Sequence, residues 1–267
     1  MTRAISIAFA SAILLAAALA PRARAEFVID DASLQAAAKR VLPLVEAETG
    51  VALAETLRYR IASREELRDI LEKELLPQMQ AQVEDEEQAA AQAQNYAVVM
   101  ARSLLAKFAT EKKEILICPG NFDELAEMLE DPALKTEQTF HAVLVHETVH
   151  AADEKAFAFS GTLLGLGSLE AIQAFNAVIE GHAQFVARRV CDKTEWSGGF
   201  DVFTRSIGTA PENPSLGEGM RFFMRIVADT FATAYYDGEK FIRAIHEGGG
   251  EEAVERARET DPDPILL

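Results

Sequence analysis

His146-Glu147-Thr148-Val149-His150 sets two imidazoles four residues apart, with a carboxylate directly after the first. The apolar run Phe140–Val145 in front of it predicts a buried helix. On a helix, residues i and i+4 share one face. Both rings can then reach one ion at ~2.0–2.1 Å. Glu147 lies about 100° round the axis. That takes it off the ligand face but keeps it within reach of a water beside the ion, the position of a general base. The donor set suits zinc, one ion per chain. The plainer alternative is a pair of core histidines that satisfy each other, because two unpartnered rings in an apolar helix would be costly.

A catalytic zinc site has three protein ligands and one open position. The third candidate is Glu180, in the apolar segment Phe175–Val186. Asn176, Glu180 and Gln184 make a polar stripe at i, i+4 and i+8, and a carboxylate in such surroundings needs a cation. Arg188 and Arg189 are its alternative partners. Gly181 and Ala183 are small enough to let two helices approach closely. His182 points about 200° away from Glu180, which suits a supporting or surface residue and not a ligand. His141 and His246 have no ligand spacing and read as structural.

These residues resemble the gluzincin zinc metallopeptidases: His146-Glu147-x-x-His150, then a glutamate on a later helix. They are most similar to secreted bacterial HExxH proteins with an E-G-x-A third-ligand segment, here Glu180-Gly181-His182-Ala183. Tyr235-x-x-Gly238-x-x-Phe241 is similar to that group's Y-x-x-G-x-x-F segment, and Gly248-Gly249 with the helix after it also fits. The resemblance implies a gluzincin-like fold and hydrolysis of peptide bonds. It implies His146, His150 and Glu180 as zinc ligands, Glu147 as base, and Tyr235 as donor to the tetrahedral intermediate. Gln184 stands where related enzymes often carry an acid, and a Pro-x-Ser-Thr signature near the end is missing. No aminopeptidase-type G-x-M-E-N sequence is present, so the resemblance favours an endopeptidase.

The elements that must position these groups are mostly helices. Helices are predicted at 30–48, from the Ser63-x-x-Glu66 capping box through Leu76, and at 122–130, about 138–152, about 168–191, 218–234, 238–246 and 250–259. The stretch 78–110, without Gly or Pro, reads as one long helix or two with a soft joint. Strands are predicted at Leu57–Ile61 and Ile115–Cys118, the second ended by Pro119-Gly120. Residues 153–167 read as a connector and 198–217 as a loop. The fold class expected is α+β, predominantly helical, with a small sheet, an active-site HExxH helix and a helical C-terminal lobe. The expected organisation is one domain over 26–267, with an N-terminal lobe at 26–153 and a C-terminal lobe at 154–267.

Residues 1–25 read as a secretory signal peptide: Arg3, an apolar run Ile5–Ala20, Pro21, and Ala23-Arg24-Ala25 before the cut. The run is shorter than the ~20 residues that span a bilayer. An exported, periplasmic or extracellular protein is expected, with no stable membrane insertion after cleavage. The net charge of −17 becomes −20 once Arg3, Arg22 and Arg24 are removed. So acidic a chain excludes nucleic acid as a partner; a peptide or protein substrate is expected. Two cysteines, Cys118 and Cys191, exclude a disulfide scaffold or a four-cysteine zinc module; they read as one disulfide or two buried thiols. The rival to a peptidase is a non-catalytic module that keeps or has lost the metal and binds a partner. Oligomeric state is left open by the sequence.

Overall fold

The structure, a computed structural model, describes residues 27–166, 168–207 and 218–259. The segment expected to be a signal peptide and residues 260–267 lie outside them. Helix α1 (Asp31–Thr49) opens on a reciprocal cap. The Asp30 carboxylate accepts from the Ser33 N–H at 2.8 Å, and the Ser33 hydroxyl accepts from the Asp30 N–H at 2.9 Å. Gly50, at φ 71°, closes it in the left-handed conformation. Leu34, Val41 and Val45 lie on one buried face.

Strand β1 (Arg58–Ile61) leads into a helical hairpin of α2 (Arg64–Gln82) and α3 (Glu86–Ser103). Ser63 caps α2 and Asp85 caps α3, each accepting a backbone N–H three residues on. Ala89, Ala93, Ala97 and Ala101 form a buried stripe of small residues at four-residue spacing, along which α3 packs on α2. Of the two readings of 78–110, two jointed helices hold: the break falls at 83–85, and the second helix ends at Ser103. The residues after it form strand β2 (Ala106–Ala109), antiparallel to β3 (Glu114–Ile117). Pairing with β3 overrides a local sequence that carries no turn residue, as strand preferences commonly yield to context. β1 lies parallel on the other side of β3, giving the order β1-β3-β2. Among the described residues β2 is thus an edge strand.

Helix α4 (Pro119–Met128) and a 3₁₀ turn (Pro132–Lys135) lead to the central helix α5 (Glu137–Phe157). Every residue from Thr139 to Asp153 is buried, so the helix is enclosed on all sides, its polar residues included. It packs against α1, α7 (Leu169–Asp192), α8 (Ser197–Ile207) and β2. The Tyr59 hydroxyl meets Thr148 Oγ1 at 3.0 Å, and the Thr148 hydroxyl donates to the Leu144 carbonyl, so the sheet is tied to the middle of α5. The connector expected at 153–167 is mostly helical: α5 runs to Phe157, Ala158 turns at φ 50°, and α6 (Phe159–Gly165) follows.

The loop expected from 198 begins as α8 instead. Its Gly199 serves close packing and not a turn: a Cβ there would sit 2.2 Å from the carbonyl carbon of Gln138. Residues 208–217 lie outside the described ones. Helix α9 (Glu218–Ala232), one π-helical turn (Thr233–Asp237) and α10 (Gly238–Glu259) complete the described residues, with α10 bent at Gly250, φ 68°. Cys118 and Cys191 are both buried free thiols, each raised by burial, Cys191 to about 12. No helix of the described residues is long and apolar enough to cross a membrane. The architecture is predominantly helical α+β around one three-stranded sheet.

Candidate metal centre

α5 and α7 cross so that three side chains converge. His146 Nε2 lies 3.0 Å from His150 Nε2 and 3.2 Å from Glu180 Oε2, and His150 Nε2 lies 3.3 Å from the same oxygen. Ligand atoms held tetrahedrally at ~2.0–2.1 Å from an ion sit about 3.3 Å apart, so this triangle has the dimensions of one face of a tetrahedral site. The cluster could hold a metal ion, and its two-nitrogen, one-oxygen donor set fits zinc chemistry. Neither arginine named as an alternative partner of Glu180 reaches it. Arg188 pairs with Asp201, and Arg189 with Glu48 and Glu251.

The electrostatics show how strongly these groups are coupled. Burial alone would push the His150 imidazolium down, but the Glu180 charge and hydrogen bond raise it to about 9, with Glu147 and Asp153 contributing. Burial alone would raise Glu180, but His150 and His146 hold it well below the usual carboxylate range. A bound cation would take the place of the proton that otherwise balances Glu180.

Glu147 faces the same cavity, and its Oε2 accepts the backbone N–H of Phe108 at 2.7 Å. That N–H belongs to the edge strand and donates to Glu147, not to β3. Tyr235, 8% exposed, stacks on His146 with ring centroids 5.2 Å apart. Burial raises its hydroxyl well above its ordinary value, and the charges of Glu180 and Glu147 and a hydrogen bond to Glu180 add to the rise. Its neighbour Tyr236 points elsewhere, donating to the Thr204 carbonyl at 2.7 Å.

A glycine contact explains why Tyr235 arrives there. A Cβ on Gly181 would lie 2.2 Å from the carbonyl carbon of Gly238, and one on Gly238 would lie 2.1 Å from the Ala177 oxygen. The residue after the candidate ligand and the residue three past the tyrosine therefore touch backbone to backbone. The E-G-x-A and Y-x-x-G segments are the two halves of one helix crossing.

The supporting residues differ from the expectation. Gln184 is fully buried, but its amide N–H donates to Thr204 Oγ1 at 3.4 Å, and its oxygen has no partner. The Nδ1 atoms of His146 and His150 are also buried without partners. Gln184 therefore does not orient a zinc histidine in this arrangement. His182 is buried, not on the surface, and bonds Asp153 Oδ2 at 2.8 Å through Nδ1. Arg258 on α10 closes the group, donating to Asp153 Oδ1 at 2.6 Å. Asp153 stands three residues past His150, and His182 two past Glu180, so this cluster joins α10 to both ligand helices. Burial would raise Asp153, but His182 and Arg258 hold it below its ordinary value. The sequence held a signal for it in those spacings, but Arg258 is too distant to be paired by spacing. His141 stacks on Trp196 at 4.4 Å, away from the site.

No family model matches the sequence, and no curated protein matches it. One solved structure does share the fold. It comes from Chloroflexus aurantiacus and is described as "a putative hydrolase with a novel fold". The two agree with a TM-score of 0.59 at 16% identity, over 88% of this chain and 86% of that chain. At that identity the likeness is one of fold. The gluzincin resemblance rests on the residues quoted for it.

Proposed function

We propose that this protein is an exported zinc-dependent endopeptidase with gluzincin-type chemistry. The observation that carries the reading is the triangle of His146, His150 and Glu180 beside a carboxylate, Glu147, that is not part of it. The fold shared with a protein described as a hydrolase is consistent with it. Zinc held there would acidify a water and polarise the scissile carbonyl. Glu147 takes the proton from the attacking water and passes it to the leaving amine. The Phe108 N–H fixes one of its oxygens for that task. Tyr235 turns its hydroxyl from Glu180 to the oxyanion, where a donor acts mainly in the transition state. A peptide substrate is favoured because the cavity borders β2, an edge strand whose backbone groups other than the Phe108 N–H could hydrogen-bond an extended chain.

The alternative is a metal-binding or partner-binding module without turnover. One observation favours it: Nδ1 of both histidines lacks the partner that usually orients a metal-ligating ring. Metal analysis of the purified chain together with a peptide-hydrolysis assay decides between the two. Peptidase action requires one zinc per chain and turnover lost in Glu147→Gln; zinc without turnover on any of a varied set of peptides supports the module.

A further inference from the structure

The cleft at the candidate metal centre has a volume of about 670 Å³ and reaches well past the groups that would do chemistry. Two separate walls of large apolar side chains line it. Leu71 and Leu75 of α2 and Met100 of α3 belong to the helical hairpin. Phe159, Leu163 and Leu164 belong to α6, the short helix after the HExxH helix. Phe159 sits against His150, with ring centroids 6.2 Å apart, so the second wall starts at a candidate ligand. Leu71 is buried, but the others are not closed core positions. Leu75, Met100, Phe159 and Leu163 are only half-buried, and Leu164 is 56% exposed.

Partly exposed apolar side chains gathered in one concave surface mark a place where other apolar groups are taken out of water. Their number and the cavity's volume exceed what one substrate side chain fills. From these walls we infer the substrate class: extended peptide segments carrying several large apolar side chains around the cleaved bond. In folded proteins such side chains are mostly buried. The class is therefore met in unfolded or partly unfolded polypeptide. This inference rests on the peptidase reading for its cleavage step, but not for its binding step.

The test separates the two. A fluorescent peptide with Leu and Phe on both sides of its central bond is compared with the same peptide carrying Ser at those positions. Binding is measured by anisotropy on the zinc-loaded full chain bearing Glu147→Gln, and cleavage on the zinc-loaded wild type. The apolar peptide is expected to bind and be cleaved at least tenfold better, the usual worth of a filled apolar subsite. Leu164→Gln, at an exposed position that keeps the fold, is expected to narrow that gap several-fold. Equal binding of the two peptides overturns the inference, and so does equal cleavage. Selective binding without cleavage upholds the apolar class and overturns the peptidase reading. Binding of neither peptide overturns both.

Discussion

Replacing Gly181 by alanine probes the contact that brings Tyr235 to the candidate metal centre. The new methyl would lie 2.2 Å from the Gly238 carbonyl carbon, 2.4 Å from its oxygen and 2.6 Å from its Cα. Carbon atoms reach optimal contact at about 3.5 Å, so α7 and the start of α10 must part by roughly 1.3 Å. The obstacle is backbone, which cannot swing aside as a side chain does. That puts the cost near the upper end of overpacking, about 3 kcal/mol. Alanine returns about 1 kcal/mol of helix propensity. The net loss of about 2 kcal/mol lowers the melting temperature of a domain this size by roughly 4–8 °C. The same shift draws Tyr235 away from His146 and Glu180, and a displacement near 1 Å in a catalytic group can cost about 10²-fold in rate. Thermal melting, zinc affinity by chelator competition and kcat on a cleaved peptide are the measurements. Gly161→Ala is the control, since nothing lies within 4 Å of a Cβ there. It should be neutral or gain about 0.5–1 kcal/mol. If Gly181→Ala melts within about 1 °C of the wild type and keeps its kcat, the glycine crossing does not hold the site together.

Glu147→Gln should retain zinc and lose about 10²–10⁴ in kcat, because an amide cannot accept the proton; full metal content with unchanged turnover would exclude it as base. Tyr235→Phe should lower kcat by about 10²–10³ with little change in substrate binding. Tyr236→Phe should cost only about 1 kcal/mol of stability through its lost bond to Thr204; the reverse pattern in the two variants would reassign the donor. Asp153→Asn leaves the Arg258 charge buried and unpaired and should destabilise by about 3–5 kcal/mol. Because the folded protein lowers Asp153, that stabilisation holds above pH 3.8 and fades as pH falls further. An acid-unfolding curve unaltered by the substitution would count against it. Cys191 and Tyr59 are raised the opposite way, each to about 12 from 9.0 and 10.0. Their contribution is complete below pH 9 and lost as pH climbs from there toward 12. Urea midpoints that stay flat to pH 11.5 or so would refute the burial argument.

The geometry of the candidate ligands was legible because it is local. Four-residue spacing on an apolar helix leaves the two rings of His146 and His150 little choice, and an acid in the apolar run around Glu180 asks for a cation. Asn176, Glu180 and Gln184 do lie along α7 as the stripe implies, Asn176 at the cavity and Gln184 in the core. What stayed hidden was non-local. Ala106–Ala109 has a helix-compatible composition and becomes a strand only because β3 lies beside it. Gly198 and Gly199 look like turn residues, whereas Gly199 lets α8 approach the first turn of α5. Arg258 meets Asp153 across more than a hundred residues, and no periodicity reports such a pair. Spacing put His182 off the ligand face, where it is, but spacing does not tell an outward face from one turned into another helix.

The helix crossing at Gly181 and Gly238 also sets an order of events along the chain. All three candidate ligands have been synthesised by residue 180, on two helices that pack directly on each other. Tyr235, and the Arg258 that pairs with Asp153, come only with the last described helical elements. A chain emerging N-terminus first can therefore assemble the candidate metal cluster before Tyr235 reaches it. On the peptidase reading, capacity to bind an ion and capacity to use it are separated in time by the docking of Tyr235 and α10. A proteolytic clip that removed α10 would undo the second while sparing the three ligands of the first.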